Sequence, residues 1–226
     1  MTGLDIRVEA LEMVYEVDGE QVNALRGVDL TVDAGESVAL LGPSGSGKSS
    51  MMTLLAGLQK PTSGRALIGG QDVTAMTERQ LLALRARDVG VVVQGPARNL
   101  LPYANALDNV RFAQRAVPRD RRDRLRPPVE LLEELGLWHV QRSRLGALSG
   151  GEQQRLSLAV GLAGAPGVLL ADEPTSQLDA VNRSHVVDML VSAAAGGTTI
   201  VVITHDEHVA SQVDRAIHLR DGEIVP

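Results

Sequence analysis

The sequence predicts an α/β fold, a mostly parallel sheet with helices on both faces, joined to an N-terminal antiparallel β region and interrupted by a helical insertion. Three observations predict it. Short β-branched runs alternate with helical stretches ("SVALL", "KSSMMTLLAGL", "VGVVV", "GVLLA", "TIVVIT"), the pattern of strands linked by helical crossovers. Residues 1 to about 35 read as short alternating strands with "DGE" and "DAGE" turns, and "AIHLRDGEIV" reads as a C-terminal hairpin about Asp221-Gly222, so antiparallel strands are expected at the edge. From about 95 to 164 the alternation lapses into irregular sequence, then turns helical in "VELLEELGLW" and "GGEQQRLSLAVGLAG". The expected division is therefore residues 1–94 and 165–226 as an α/β core and residues 95–164 as a helical subdomain.

Taken in order, Val38 to Leu41 and Val168 to Ala171 are uninterrupted apolar runs that suit strands buried on both sides. In the first helix Met51, Leu54, Leu55 and Leu58 fall at i, i+3, i+4 and i+7, one apolar face, and Pro61 is expected to close it.

A chain of 226 residues can bury a sizeable core, and with no cysteine it needs no disulfide and offers no thiolate metal site. The first twenty residues lack the basic start and apolar run of a signal peptide, and the longest uncharged stretches are broken by Gly, Pro, Ser or Thr short of the roughly 20 residues that span a bilayer. A soluble, cytoplasmic chain is expected. A formal net charge of −6 argues against a nucleic-acid partner. The local exception is the basic, proline-punctuated stretch Arg111 to Pro128, read as a solvated surface segment or, alternatively, as a face for a partner or anionic lipid.

"GPSGSGKSS" carries the chemistry. Gly42, Gly45 and Gly47 follow an apolar strand and precede an amphipathic helix, so successive backbone N–H groups can curl around an anion. Gly42, Gly47, Lys48 and Ser49 match the phosphate-loop pattern in which lysine reaches the terminal phosphates and the hydroxyl binds Mg²⁺; Pro43, Ser44, Ser46 and Ser50 complete the cradle. Lys48 is one of only two lysines in the chain. A compact ammonium suits a backbone nest that a planar guanidinium would crowd.

Asp172 and Glu173 close the "GVLLA" strand, at the sheet edge where α/β proteins bind ligands. Asp172 is expected to hold Mg²⁺ and Glu173 to orient or deprotonate attacking water. His205 ends the "TIVVIT" strand at the same edge, in reach of a γ-phosphate, although Thr204 and Glu207 also have capping-box spacing.

In "LSGGEQQR", Ser149 and Glu152 form a capping box, which leaves Gly150 and Gly151 unexplained: each weakens a helix by up to about 1 kcal/mol. Bare N–H groups at a helix start are open to an anion, and a second phosphate-binding helix is redundant within one site but useful between two subunits.

With this stretch the chain resembles the ATP-binding cassette ATPases along nearly its whole length. Tyr15 matches their adenine-stacking aromatic, "GPSGSGKSS" the phosphate loop, Gln94 the glutamine loop, "LSGGEQQR" the signature, Asp172 and Glu173 the acidic strand end, Asp179 the aspartate loop and His205 the histidine switch, all in family order. The resemblance implies an ABC ATPase fold built on a P-loop NTPase core. It implies a homodimer that sandwiches two ATP molecules head to tail, with Ser149 and Gly151 acting on the other subunit's nucleotide. Lys48, Ser49, Gln94 and Asp172 then organise phosphate and Mg²⁺, Glu173 activates water, His205 senses the γ-phosphate and Asp179 couples the two sites. It further implies an integral membrane permease-type partner, a peripheral place on the cytoplasmic side of the cell membrane, and no direct contact with a transported substrate.

"GLQKPTSG", "NLLPYANALDNV" and "LLADEPTSQLD" look most like the bacterial lipoprotein-release, macrolide-export and heme-export branch, whose members serve export or mechanical transmission. "QGPARNLLP" is two residues longer than that branch leads one to expect, and Val160 and Gly161 stand where arginine and alanine are usual. A soluble cassette for cofactor assembly or protein remodelling is the alternative.

Overall fold

A long hairpin opens the fold, in a computed structural model that describes residues 3–176 and 178–225. β1 (Ile6–Val17) and β2 (Glu20–Val32) pair antiparallel about Asp18-Gly19, both left-handed (φ 53° and 82°), as a tight right-twisted hairpin turn requires. These strands are longer than expected. β4 (Ser63–Ile68) pairs antiparallel with the far side of β1, and β5 (Gln71–Asp72) extends it, so the N-terminal strands form a separate sheet ordered β2-β1-β4-β5.

The second sheet is ordered β10-β9-β3-β8-β7-β6, from β3 (Ser37–Leu41), β6 (Val89–Val92), β7 (Val168–Asp172), β8 (Thr199–Ile203), β9 (Arg215–Arg220) and β10 (Glu223–Val225). Every neighbouring pair is parallel except β9 with β10, whose hairpin turns on Asp221 and Gly222, both at positive φ. The expected apolar runs occupy interior strands, and alternate residues serve opposite cores. Val38, Leu40, Val168, Leu170, Val201 and Ile203 face the antiparallel sheet with α1 (Lys48–Leu55) and α2 (Glu78–Arg87); Ala39, Leu169, Ala171, Ile200 and Val202 face the other helices. Those are α3 (Ala106–Ala116), α4 (Pro128–Glu134), α5 (Gly150–Leu162) and α6 (Ala180–Ala195), with the short α7 (Glu207–Ala210) after β8.

Three expectations are corrected. Leu58 is 50 % exposed, because α1 ends at Leu55 and Gly57 (φ 62°) turns the chain, with Leu58 N–H returning to Thr53 O at 2.8 Å; Met52 fills the apolar face instead, and Pro61 lies past the stop. The stretch read as irregular contains α3, opened by Asn105, whose side chain accepts from Asp108 N–H. Arg111 to Pro128 lies at the surface as expected, with only Val117 buried, and is anchored by ion pairs: Arg121 with the buried Asp88 at 2.6 Å, Asp120 with Arg87 at 3.3 Å, and Arg126 with Glu134. The Thr204–Glu207 box does not form, since Asp206 caps α7 by accepting from His208 N–H while Thr204 Oγ1 accepts from Asp206 N–H.

Candidate functional site

The glycines of the phosphate loop are fixed by two needs. Gly42, Gly45 and Gly47 all have positive φ, and a Cβ on Gly47 would stand 2.2 Å from Ala24 O of β2, so the loop can swing into α1 only with glycine there. Lys48, the first residue of α1, folds back across the loop: its Nζ donates to Gly42 O at 2.8 Å and Pro43 O at 2.7 Å and lies 3.3 Å from Ser46 Oγ. A flexible stem carrying one compact cation makes this possible. Burial lowers the lysine's pKa, with Glu173 and Asp172 opposing the shift.

Parallel pairing of β7 with β8 carries the acids to the same edge. Asp172 is 6 % exposed and accepts from Ser49 Oγ at 3.2 Å. Burial raises its pKa, and neighbouring Glu173 adds to this against the pull of Ser49 and Lys48. Glu173 adopts a left-handed backbone (φ 49°), held by its N–H to Ile203 O at 2.9 Å and by Gln154 Nε2 to its carbonyl at 3.2 Å. That turn presents Oε1 to His205 Nδ1 at 2.9 Å and leaves Oε2 buried without a partner. One cavity of about 570 Å³ is lined by the loop from Gly42 to Gly45, by Gly47 to Ser50, and by Gln94, Asp172, Glu173 and His205. Ser46 lies beneath it, 2 % exposed.

Tyr15 stands at the margin, its Oη 3.3 Å from Ser50 Oγ. Ser149, Gly150, Gly151, Glu152 and Asp179 do not line this cavity. Ser149 and Glu152 form the expected capping box on α5. Asp179 caps α6 by accepting from Asn182 N–H, which holds its carboxyl below the usual range. The two segments adjoin: a Cβ on Gly151 would lie 3.3 Å from Leu178 and 3.8 Å from Asn182. Within one chain the predicted residues thus fall into two groups, one lining a single cavity and the other on a separate surface formed by the starts of α5 and α6.

Residues 25–176 match the family described as ABC transporter. The chain belongs to that family. The cassette is 39 % identical to the lipoprotein-releasing system ATP-binding protein LolD of Syntrophus aciditrophicus, over 97 % of this chain and 98 % of that one. It is 41 % identical to the pyoverdine export ATP-binding/permease protein PvdT of Pseudomonas fluorescens, over 92 % of this chain and 31 % of that one. It spans about a third of the length of such ATP-binding/permease relatives, 34 % for the macrolide export protein MacB of Shigella flexneri. Among solved structures, a post-hydrolysis dimer of the ATP-binding cassette MJ0796 bound to ADP and Pi superposes with a TM-score of 0.90 at 34 % identity, covering 98 % of this chain and 97 % of that one. The chain carries an ABC ATPase domain, similar in sequence to the LolD and MacB proteins.

Several residues of the cassette escaped sequence reading. Gln154 sits inside the signature helix, 4 % exposed, and no local pattern ties it to Glu173, nineteen positions on. Arg183 and Asp206, in ion-pair range at 3.0 Å, join the Asp179 segment to the residue after His205. The departures have local reasons. Pro96–Arg98 make a 3₁₀ turn that Asn99 closes by bonding both N–H and carbonyl of Val93, and Gly161 is required because a Cβ there would stand 2.5 Å from Val92 Cγ2.

Proposed function

We propose that this chain is the ATP-hydrolysing subunit of a bacterial membrane complex of the export or mechanotransmission type, acting as a head-to-tail pair of cassettes. One observation carries the reading: the phosphate loop, two strand-end carboxylates and a histidine meet in a single cavity, while the signature lies apart on the same chain. Residues 1–94 and 165–226 bind nucleotide in this reading, and residues 95–164 present the signature to the other copy.

The cavity fits magnesium. Asp172 is a buried carboxylate whose ionised form burial disfavours, with the Ser49 hydroxyl beside it. Among the described residues no three His, Cys, Asp or Glu cluster as a closed metal site, so the ion's remaining ligands come from nucleotide and water, as magnesium prefers. Ser49, Asp172 and Gln94 hold it, and when bound it neutralises phosphate charge.

Loop N–H groups and Lys48 then take the terminal phosphates, Tyr15 stacks on the base, and Glu173 accepts the proton of the attacking water as the bond from the γ-phosphorus to the bridging oxygen breaks. ADP and phosphate leave. His205 holds Glu173 and faces the γ-phosphate; Ser149, Gly150 and Gly151 meet the other copy's nucleotide, and Asp179 links the two sites. Positioning and charge stabilisation carry most of the rate.

The membrane partner docks beside Gln94. β6 leads into Gln94, and an apolar groove of about 320 Å³ along that strand is walled by Leu82 and Ala86 of α2, Ala113 of α3, and Val160 of α5. No helix among the described residues is long and apolar enough to cross a membrane, and relatives named ATP-binding/permease proteins support a permease-type partner; in this reading the cassette sits on the cytoplasmic side of that partner. Tagged Glu173→Gln chain purified from detergent-solubilised cells with ATP and Mg²⁺ tests the reading. A dimer carrying a stoichiometric multi-span membrane protein is expected. A strictly monomeric, ATP-loaded chain overturns the sandwich, and only a soluble partner overturns the membrane assignment.

A further inference from the structure

Gln59 has no part in the phosphate-loop chemistry, yet it is held from both sides. Its N–H returns to Thr53 O at 3.3 Å at the end of α1, and three residues on Thr62 is sewn to β1, its N–H to Glu12 O at 2.9 Å and its Oγ1 accepting from Val14 N–H at 3.0 Å. The backbone at Gln59 is therefore fixed between the phosphate-loop helix and the strand that carries Tyr15. Its side chain spans the same gap: Tyr15 Oη donates to Gln59 Oε1 at 2.7 Å, and Thr53 Oγ1 lies 3.1 Å from that oxygen. Tyr15 sits near the outer end of a hairpin, paired with Val22 on a strand flanked there by exposed residues. The ring packs on one side against the core and its Oη lies 3.3 Å from Ser50 Oγ, and the shorter hydrogen bond to Gln59 is the stronger hold on where its far tip lies.

We infer that Gln59 is a positioning residue for nucleotide binding, tethering the tip of the Tyr15 ring in the place that receives the base. The inference rests on the proposed base-stacking role of Tyr15 and adds the device that holds the ring ready. A pre-set platform improves affinity because less side-chain freedom is lost on binding. Gln59 touches neither phosphates nor attacking water, so the effect belongs in nucleotide affinity, with turnover at saturation unchanged.

The test measures dissociation constants of the full-length chain for ATP and for inorganic tripolyphosphate, which keeps the phosphates and lacks the base, together with KM and kcat. Gln59→Leu removes the acceptor and is expected to weaken ATP about fivefold, the worth of one neutral hydrogen bond, with tripolyphosphate binding and kcat unchanged. Gln59→Glu keeps an acceptor and should bind ATP as the wild type does. Tyr15→Ala loses the stack and should weaken ATP at least as much as Gln59→Leu. Wild-type ATP affinity in Gln59→Leu overturns the inference, as does an equal loss for tripolyphosphate, which would mark a distortion of α1. Unchanged ATP affinity in Tyr15→Ala overturns the stacking role itself.

Discussion

Two loop glycines that look alike in sequence should respond differently to alanine. Both have positive φ, 81° at Gly45 and 102° at Gly47, so each substitution carries backbone strain of about 1–2 kcal/mol. At Gly45 a Cβ would meet nothing within 4 Å, and strain is the whole cost. At Gly47 it would stand 2.2 Å from Ala24 O and 2.9 Å from Leu25 Cδ2, so β2 or the start of α1 must move, adding about 1–3 kcal/mol as overpacking does. At roughly 2–4 °C per kcal/mol for a chain of this size, Gly45→Ala should lower Tm by about 2–8 °C and Gly47→Ala by about 4–20 °C. Thermal unfolding of the nucleotide-free chains, followed by circular dichroism under one buffer condition, measures both. Equal losses would refute the argument, showing that left-handed geometry alone, and not the approach of β2, demands glycine at position 47.

Arg121→Met strands the Asp88 carboxylate in its buried position and should cost about 1–3 kcal/mol by denaturant titration, with Arg121→Met/Asp88→Leu recovering most of it; a double variant no better than the single one would show the pair is not the cause. Asp214 accepts from the Ser37 hydroxyl at 2.6 Å and the Ser37 N–H at 2.9 Å, which hold its carboxyl below the usual range. Its stabilisation is therefore present above the unfolded pKa of about 4 and lost as pH falls through the lower folded value, so the Tm gap between wild type and Asp214→Asn should close on acidification; a gap constant to about pH 2.5 would contradict this. Gly150→Ala should raise the Tm of the isolated chain, since no neighbour lies within 4 Å of the added methyl, while weakening ATP-driven dimerisation in the Glu173→Gln background; a lower Tm would show that the single chain itself needs this glycine.

The site was legible where the chemistry is local. A phosphate loop must string its glycines, lysine and hydroxyl together within one turn, and strand-end acids must follow an apolar run, so Lys48, Ser49, Asp172 and Glu173 announce themselves. Helix ends were less legible because a single left-handed residue decides them: periodicity carried α1 to Leu58, but Gly57 had already turned the chain. α3 was hidden by its arginines, which mask an apolar stripe of Ala106, Leu107 and Val110. Contacts between distant segments leave no trace in spacing. Gln154 with Glu173, and Tyr15 with Gln59, join residues whose separation is set only by the topology of the two sheets.

The two signature glycines show how far a single chain explains itself. Gly151 has an internal reason, since Leu178 and Asn182 close over it. Gly150 has none: its φ is not positive, no atom crowds it, and alanine would hold the first turn of α5 better. Glu152 sharpens the point, because a carboxylate so close to a helix start should repel an incoming anion. Its oxygens are drawn aside, Oε2 to the N–H and hydroxyl of Ser149 at 2.7 and 2.8 Å and Oε1 toward His139 at 3.1 Å. What faces outward is then a bare backbone beside Gly150, apart from the cavity that Lys48 and Asp172 line. A helix start kept bare at a cost in stability, with its one acid tied back, suits an anion brought by a second molecule and has no evident use in a chain that works alone.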